Sequence, residues 1–504
     1  MSRGHLLEGG LVVDGSGTVG RAEDVLLIDE RIAAIGPDLR ARHDLNGIAC
    51  HDCRGLAVAP GFIDVHTHDD AIVLQQPDML PKLSQGITTV IAGNCGISLL
   101  PWQTDDAPAP LNLLGRESFR HATFADYAKA FEQAQPALNT ALLIGHTTLR
   151  FAAMRSLDRA ARGDELEHMA TLLDQCLADG AIGLSSGLFY EPAFAAPKEE
   201  VLRLAQVVAR RGGVYATHLR SEMQAIIEAL HEAGDTAFEA GVPLVISHHK
   251  CAGPANWGRT RETLPLIEQL AQRQALAMDV YPYTAGSTVL REDLVDGVID
   301  VRVTWSDPHP EAEGRLLADI AADWGCSQQQ ACRRLQPGGA CYFQMHEDDV
   351  ARVVAHPLAM IGSDGLPHDR HPHPRLWGAF PRVLARYCRE QQLFPLEQAV
   401  HKMSGLSARH FRLHQRGQLQ AGWFADVVVF DPARVQDRAS YEAPLAVSEG
   451  IHTVFVNGRL SYRGGELRAL QRSGRLLRRH AAPSSRPPAS SAQLAGSGTA
   501  LAKR

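Results

Sequence analysis

The chain has 504 residues, 45% of them hydrophobic and 21% charged, a globular composition at a length that suggests more than one compact unit. Its net charge of -7 leaves no basic surplus to neutralise phosphates, which excludes a general nucleic-acid binder. No run of about 18 uncharged apolar residues occurs, so no membrane partner is expected.

The opening stretch MSRGHLLEGGLVVDG has no apolar core of signal-peptide length, which points to a cytoplasmic location. LLEGGLVVDGSG at 6–17 and EDVLLIDERIAAIG at 23–36 alternate apolar runs with Gly- and Asp-rich turns, as hairpins do. Nine cysteines are too few for a disulfide scaffold, so reduced thiols are expected; the lone CHDC at 50–53 has no second pair and no helix start after it. From residue 56 the texture changes. Short apolar runs at 62–65, 88–92, 141–144, 182–184, 214–217, 244–247, 277–280 and 360–362 read as strands. Stretches such as 199–211 and 221–240 between them carry apolar residues at helical spacing. Eight strands alternating with helices predict a (β/α)8 TIM barrel over 56–414. The gap between strands 7 and 8 is too long for a plain connection, which predicts an insertion over about 285–350. ADVVVFDP at 425–432 and HTVFVNGRLSY at 452–462 return to the β texture, with Asn457-Gly458 as a hairpin signal. Residues 1–55 and 415–469 are therefore expected to form one small β-sandwich domain. The Arg-, Ser-, Ala- and Pro-rich tail, 470–504, is expected to be disordered.

Catalytic residues of such barrels stand at the C-terminal ends of the strands. Strand 1 ends in His66-Thr67-His68, whose imidazoles share a face at i and i+2. Strand 2 ends in Cys95, strand 5 in His218, strand 6 in His248 and strand 8 in Asp364. A single histidine at a strand end is usually structural. Five strand ends that each offer a ligand favour a metal centre at the barrel mouth. Nitrogen, oxygen and one sulfur together suit zinc.

GFIDVHTHDD at 61–70 resembles the opening strand of the amidohydrolase superfamily. GNCGIS (93–98), GLSSGLFYEP (183–192), THLRSE (217–222), SHHK (247–250) and IGSDGLPHDRHPHPRLWGAFPRVLARY (361–387) resemble the N-acyl-D-amino-acid deacylases, over about residues 6–467. The resemblance implies zinc-dependent hydrolysis of the amide bond of N-acyl-D-amino acids. Many amidohydrolases bridge two metals with a lysine from strand 4; none stands at 181–187, and Cys95 takes the place of the cysteine that D-aminoacylases use. It implies a tight zinc on Cys95, His218 and His248, and a weaker second position on His66, His68 and Asp364, with Cys95 open to sharing between them. Asp364 is the expected proton carrier between attacking water and leaving amine. Arg375 and Lys250 are the cationic candidates for the substrate carboxylate, with Tyr190 as a hydroxyl contact, as the matching family tyrosine is. His146, Arg150 and His249 are expected to support the site from behind, and HDRHPHP at 368–374 to order a loop over it.

No extra arginine is clearly committed to an acidic side chain, so neutral, mainly hydrophobic D side chains are expected, with Leu290 and Met345 as candidate lining. N-acyl-D-aspartate or D-glutamate deacylation stays open, as does a hydantoinase- or dihydroorotase-like cyclic amidohydrolase, against which the missing lysine and Cys95 argue. A scaffold protein that had lost its metal is the reading from another class, and the complete ligand set speaks against it. Oligomeric state cannot be read from the sequence.

Overall fold

The eight apolar runs become eight parallel strands. They are β1 (Phe62–Asp64), β2 (Ile87–Ala92), β3 (Asn139–Gly145), β4 (Gly183–Gly187), β5 (Val214–His218), β6 (Leu244–Ile246), β7 (Leu276–Val280) and β8 (Ala359–Ile361). The computed structural model describes residues 4–479. Each strand pairs with the next in sequence, as a TIM barrel requires. The closing seam, from β8 back to β1, is thin. Val65 N–H meets Ile361 O at 3.5 Å, and one parallel bridge joins Thr67 to Gly365.

The strands are buried along their length because helices cover one face and the barrel interior the other. Ile63, Val65, Ile91, Ala141, Leu143, Val214, Ala216, Val245, Ala277 and Met360 share a cluster with Leu406, Phe411 and Leu413. The helices dock by amphipathic stripes. Lys198–Arg211 buries Val201, Leu204, Ala205 and Val208, carries Glu199 and Glu200 in its first turn and Arg210 and Arg211 in its last, and stops at Gly212. Leu204→Ala alone would cost about 2–5 kcal/mol.

The two ends of the chain meet in one auxiliary mixed sheet of eight strands. There Ala57–Pro60 pairs antiparallel with Val427–Phe430. Asn457-Gly458 turns the strand Ile451–Val456 into Arg459–Arg463 with φ of 47° and 73°, both positive as a tight hairpin turn needs. Phe424 stacks under Arg31 and Arg416, 3.7 and 4.0 Å from the guanidinium carbons.

Between β7 and β8 lies an antiparallel sheet of three strands, Gly286–Val289, Val301–Ser306 and Gly338–Tyr342. It has its own core of Leu290, Val303, Leu317, Ile320, Leu335 and Tyr342, against which Phe189 and Met223 pack. The segment after residue 470 differs from expectation. Leu477 N–H donates to Thr140 O at 2.8 Å, Thr140 N–H to Arg475 O at 2.9 Å and Arg479 N–H to Gly180 O at 2.9 Å. Leu476 and Leu477, an apolar pair inside a basic run, pack against the barrel and hold this stretch in place. The disorder expected for 480–504 lies outside the described residues. Among the described residues, no helix is long and apolar enough to cross a membrane.

Candidate metal centre

The barrel mouth gathers all six expected ligands. The ligand atoms of His66, His68, Cys95 and Asp364 lie within 4.8 Å of one another, and so do those of Cys95, His218 and His248. Cys95 belongs to both groups: its Sγ lies 3.2 Å from His66 Nε2 and 3.3 Å from His248 Nε2. Asp364 Oδ1 lies 3.2 Å from His68 Nε2 and 3.6 Å from His66 Nε2. All six residues are buried.

The backbone is bent to deliver them. Cys95, His248 and Asp364 have φ of 54°, 34° and 50°, a left-handed conformation that side-chain-bearing residues rarely hold. Gly93 and Gly96 make the Cys95 turn possible. A Cβ on Gly93 would meet Leu143 O at 2.1 Å, and one on Gly96 the Gly187 nitrogen at 2.7 Å.

Carboxylates behind the ligands fix the imidazoles. Asp279 Oδ1 lies 3.1 Å from His66 Nδ1 and accepts from His248 N–H at 2.9 Å. Glu222 Oε1 lies 3.0 Å from His248 Nδ1 and accepts from Lys250 Nζ at 2.6 Å. These partners hold ring orientation and raise ligand basicity. The sequence reading missed both. The available signals were an acid inside an apolar strand, at Asp279, and an acid four residues after His218, at Glu222.

The electrostatics favour a metal. Burial alone pushes the Cys95 thiol up; the neighbouring His66 and His248 charges overturn that and hold it well below the usual thiol range, as thiolate. Burial also raises the Asp364 carboxyl, and Arg375 and His66 overturn it in the same way. His218 is lowered by burial, and both its ring nitrogens are buried without a hydrogen-bond partner, as is His68 Nδ1. Four imidazoles, a thiolate and a carboxylate, with buried nitrogens left unmet, fit zinc: a tight position on one group and a weaker one beside it.

The other predicted residues fall into place unevenly. Lys250 and Tyr190 line the cavity above the ligands, which encloses about 1800 Å³. Tyr190 Oη lies 3.3 Å from Thr288 Oγ1, and its ring 5.2 Å from that of His218. Arg375 is fully buried and stays off the cavity wall. Its Nη1 is 2.8 Å from Asp364 Oδ2, its guanidinium 4.4 Å from the Tyr281 ring centre, and its Nε has no hydrogen-bond partner. Leu290 lines the cavity, but Met345 lies in a smaller hollow behind His248 and His249. Arg220 and Arg291 also reach the wall, each held by a carboxylate, Glu232 and Asp293, at 2.7 Å.

His249 Nε2 meets Thr263 Oγ1 at 2.8 Å, and burial lowers its pKa to about 3. His146 and Arg150 share Glu200, and Arg150 also holds Pro192 O at 2.8 Å, bracing the loop that carries Tyr190. His371 and His373 spend Nε2 on the carbonyls of Tyr441 and Ala285, at 2.7 and 3.0 Å, so their run orders a loop. All nine cysteines are free, and burial pushes Cys53 up to about 11.

The chain matches the amidohydrolase family model over residues 50–302 and 321–462. It is 50% identical to a D-aminoacylase of Alcaligenes xylosoxydans xylosoxydans, over 95% of this chain and 98% of that one. It is 47% identical to an N-acyl-D-aspartate deacylase of the same organism, over 94% of each. Among solved structures, the N-acyl-D-glutamate deacylase of Bordetella bronchiseptica, complexed with zinc and a phosphonate mimic of the tetrahedral intermediate, superposes with a TM-score of 0.90. That structure shares 44% identity, over 95% of this chain and all of its own.

Proposed function

The chain belongs to the amidohydrolase family, and from that premise we propose that it is a zinc-dependent deacylase hydrolysing the amide bond of N-acyl-D-amino acids. The observation that carries the reading is Cys95, shared by both ligand groups, opposite a β4 without lysine. In this reading the barrel within residues 56–414 is the catalytic unit, and the auxiliary sheet, which takes Ala57–Pro60 as well as strands from 1–55 and 415–469, braces it. A cytoplasmic setting, where thiols stay reduced, suits a cysteine ligand among nine free ones.

Bound zinc supplies an electrophile for the amide carbonyl and lowers the pKa of water. The protein supplies the rest. Asp364, held as carboxylate, takes the proton of the attacking water on Oδ1 and delivers it to the leaving nitrogen. Lys250 Nζ and Tyr281 at the cavity wall meet the substrate carboxylate. Arg375, buried behind the wall, keeps Asp364 ionised. Tyr190 steadies the acyl group beside His218. Arg220 and Arg291 are already neutralised, so the side-chain pocket between Phe189 and Leu290 favours neutral, mainly hydrophobic D residues. A second reading rests on Arg291. Its guanidinium carbon stacks 4.4 Å from the Phe189 ring centre, and it would take an acidic D side chain if it exchanged Asp293 for substrate.

A kinetic panel of N-acetyl-D- and L-amino acids, with zinc quantified, tests both. N-acetyl-D-methionine or D-leucine should lead in kcat/KM. A lead for N-acetyl-D-glutamate would install the second reading, and efficient L cleavage would overturn both.

A further inference from the structure

Lys82 stands in the short helix Leu80–Leu83, between β1 and β2, and is 0% exposed. A buried ammonium is costly unless its charge and donors are met. Here they are met at a particular place. Nζ donates to Asp64 Oδ2 and to Ser363 Oγ, each at 2.8 Å, and lies 3.2 Å from Asp69 Oδ2. The other oxygen of Asp64, Oδ1, accepts from Ser363 N–H at 2.7 Å and from His66 N–H at 3.4 Å.

Asp64 ends β1, two residues before His66, and Ser363 directly precedes Asp364. The ammonium therefore ties the segment bearing His66 and His68 to the segment bearing Asp364. The tie crosses the thin closing seam of the barrel, where Asp364 N–H also donates to His66 O at 2.8 Å. Asp364 needs such a hold, because its φ of 50° is a conformation that its own backbone does not favour.

We propose that Lys82, acting through Asp64 and Ser363, is a positioning residue that staples the β8–β1 seam and so sets Asp364 against His66 and His68. A buried ion pair with only a structural role would support both ligand groups alike. The staple touches one group, since Cys95, His218 and His248 come from β2, β5 and β6.

Two full-length variants test this, Ser363→Ala, which removes the bond from Lys82 and a longer one from Gly365 N–H at 3.3 Å, and Lys82→Met, which removes the ammonium and keeps the stem. Each is titrated with zinc, melted, and assayed at one equivalent of metal. Ser363→Ala should keep the tight zinc, weaken second-metal affinity and kcat by about 10-fold, and leave KM within about two-fold. Lys82→Met should lose about 100-fold in both, again with the tight zinc retained. Second-metal affinity and kcat unchanged in Ser363→Ala would overturn the proposal. So would loss of both zinc positions in parallel with a lowered melting temperature. If Lys82→Met does not fold, Ser363→Ala decides. The turnover arm rests on the deacylase reading, whereas the metal titration needs no substrate. A wild-type chain inactive on every acyl-D-amino acid would sink that reading and leave the staple standing on its titration.

Discussion

Cys95 is the one ligand that both metal positions share, and it is aimed by a turn that only glycine neighbours permit. Removing its sulfur takes a ligand from each group at once. Cys95→Ala should therefore lose the tight zinc, measured as metal per chain after dialysis; a full equivalent retained would return Cys95 to packing. Asp364 sits differently, because only the His66 and His68 group uses it. Asp364→Ala should lower kcat by at least about 10³-fold while one zinc stays bound, and undiminished turnover would remove its proton-carrying role. The ligands were legible in sequence because each ends its own strand, and a strand end is a fixed place in a barrel. The residues that orient them were not. Asp279 is 213 positions from His66, Lys82 is 281 from Ser363, and nothing local marks either pairing. Arg375 was legible as a cation next to the loop after β8, but not as one buried against Asp364.

At the scale of elements, strand identity follows from apolar runs buried on both faces, and all eight runs became barrel strands. Their ends moved by at most three residues. The β4 run shifted most, because Ser185, Ser186 and Gly187 continue a strand that polarity alone would end. Ser185 Oγ accepts the Gly96 N–H at 3.0 Å, and that long-range partner carries the strand onward. The loop after β8 holds an element-scale prediction. Burial pushes the Asp369 carboxyl up to about 7, against the charge of Arg375. The folded chain therefore keeps a proton that the unfolded chain releases near pH 4. Its contribution to stability is whole below about pH 4 and declines as the pH rises to about 7, because the unfolded state alone gains by ionising. Asp369→Asn removes that decline. Relative to the parent, it should gain stability between about pH 5 and pH 7.5 in urea melts. A pH-independent difference would show that Asp369 is ionised in the fold.

Across the whole molecule, the chain closes on itself twice. Its first and last β segments share one sheet, and its residues 470–479 return to the barrel. The first closure was legible because both ends carry the same hairpin texture. The second was hidden because Leu476 and Leu477 are two apolar residues in a run of arginines, and only Thr140 and the barrel wall reveal what they cover. Ending the chain after residue 479 leaves every described contact in place. Ending it after residue 469 removes the hydrogen bonds to Thr140 and Gly180 and uncovers apolar surface beside Ile182 and Val214. The two partly buried leucines are worth about 1–2 kcal/mol each by area. In a chain of this size, that lowers the melting temperature by several degrees. The metal ligands lie at the opposite ends of the strands. Truncation after 469 should therefore destabilise the protein while kcat at 25 °C and zinc content stay within about two-fold of the parent. Equal melting temperatures for the two truncations would mean that the returning segment adds nothing. A fall in kcat that tracks the fall in melting temperature would mean that the closure supports the site as well as the fold.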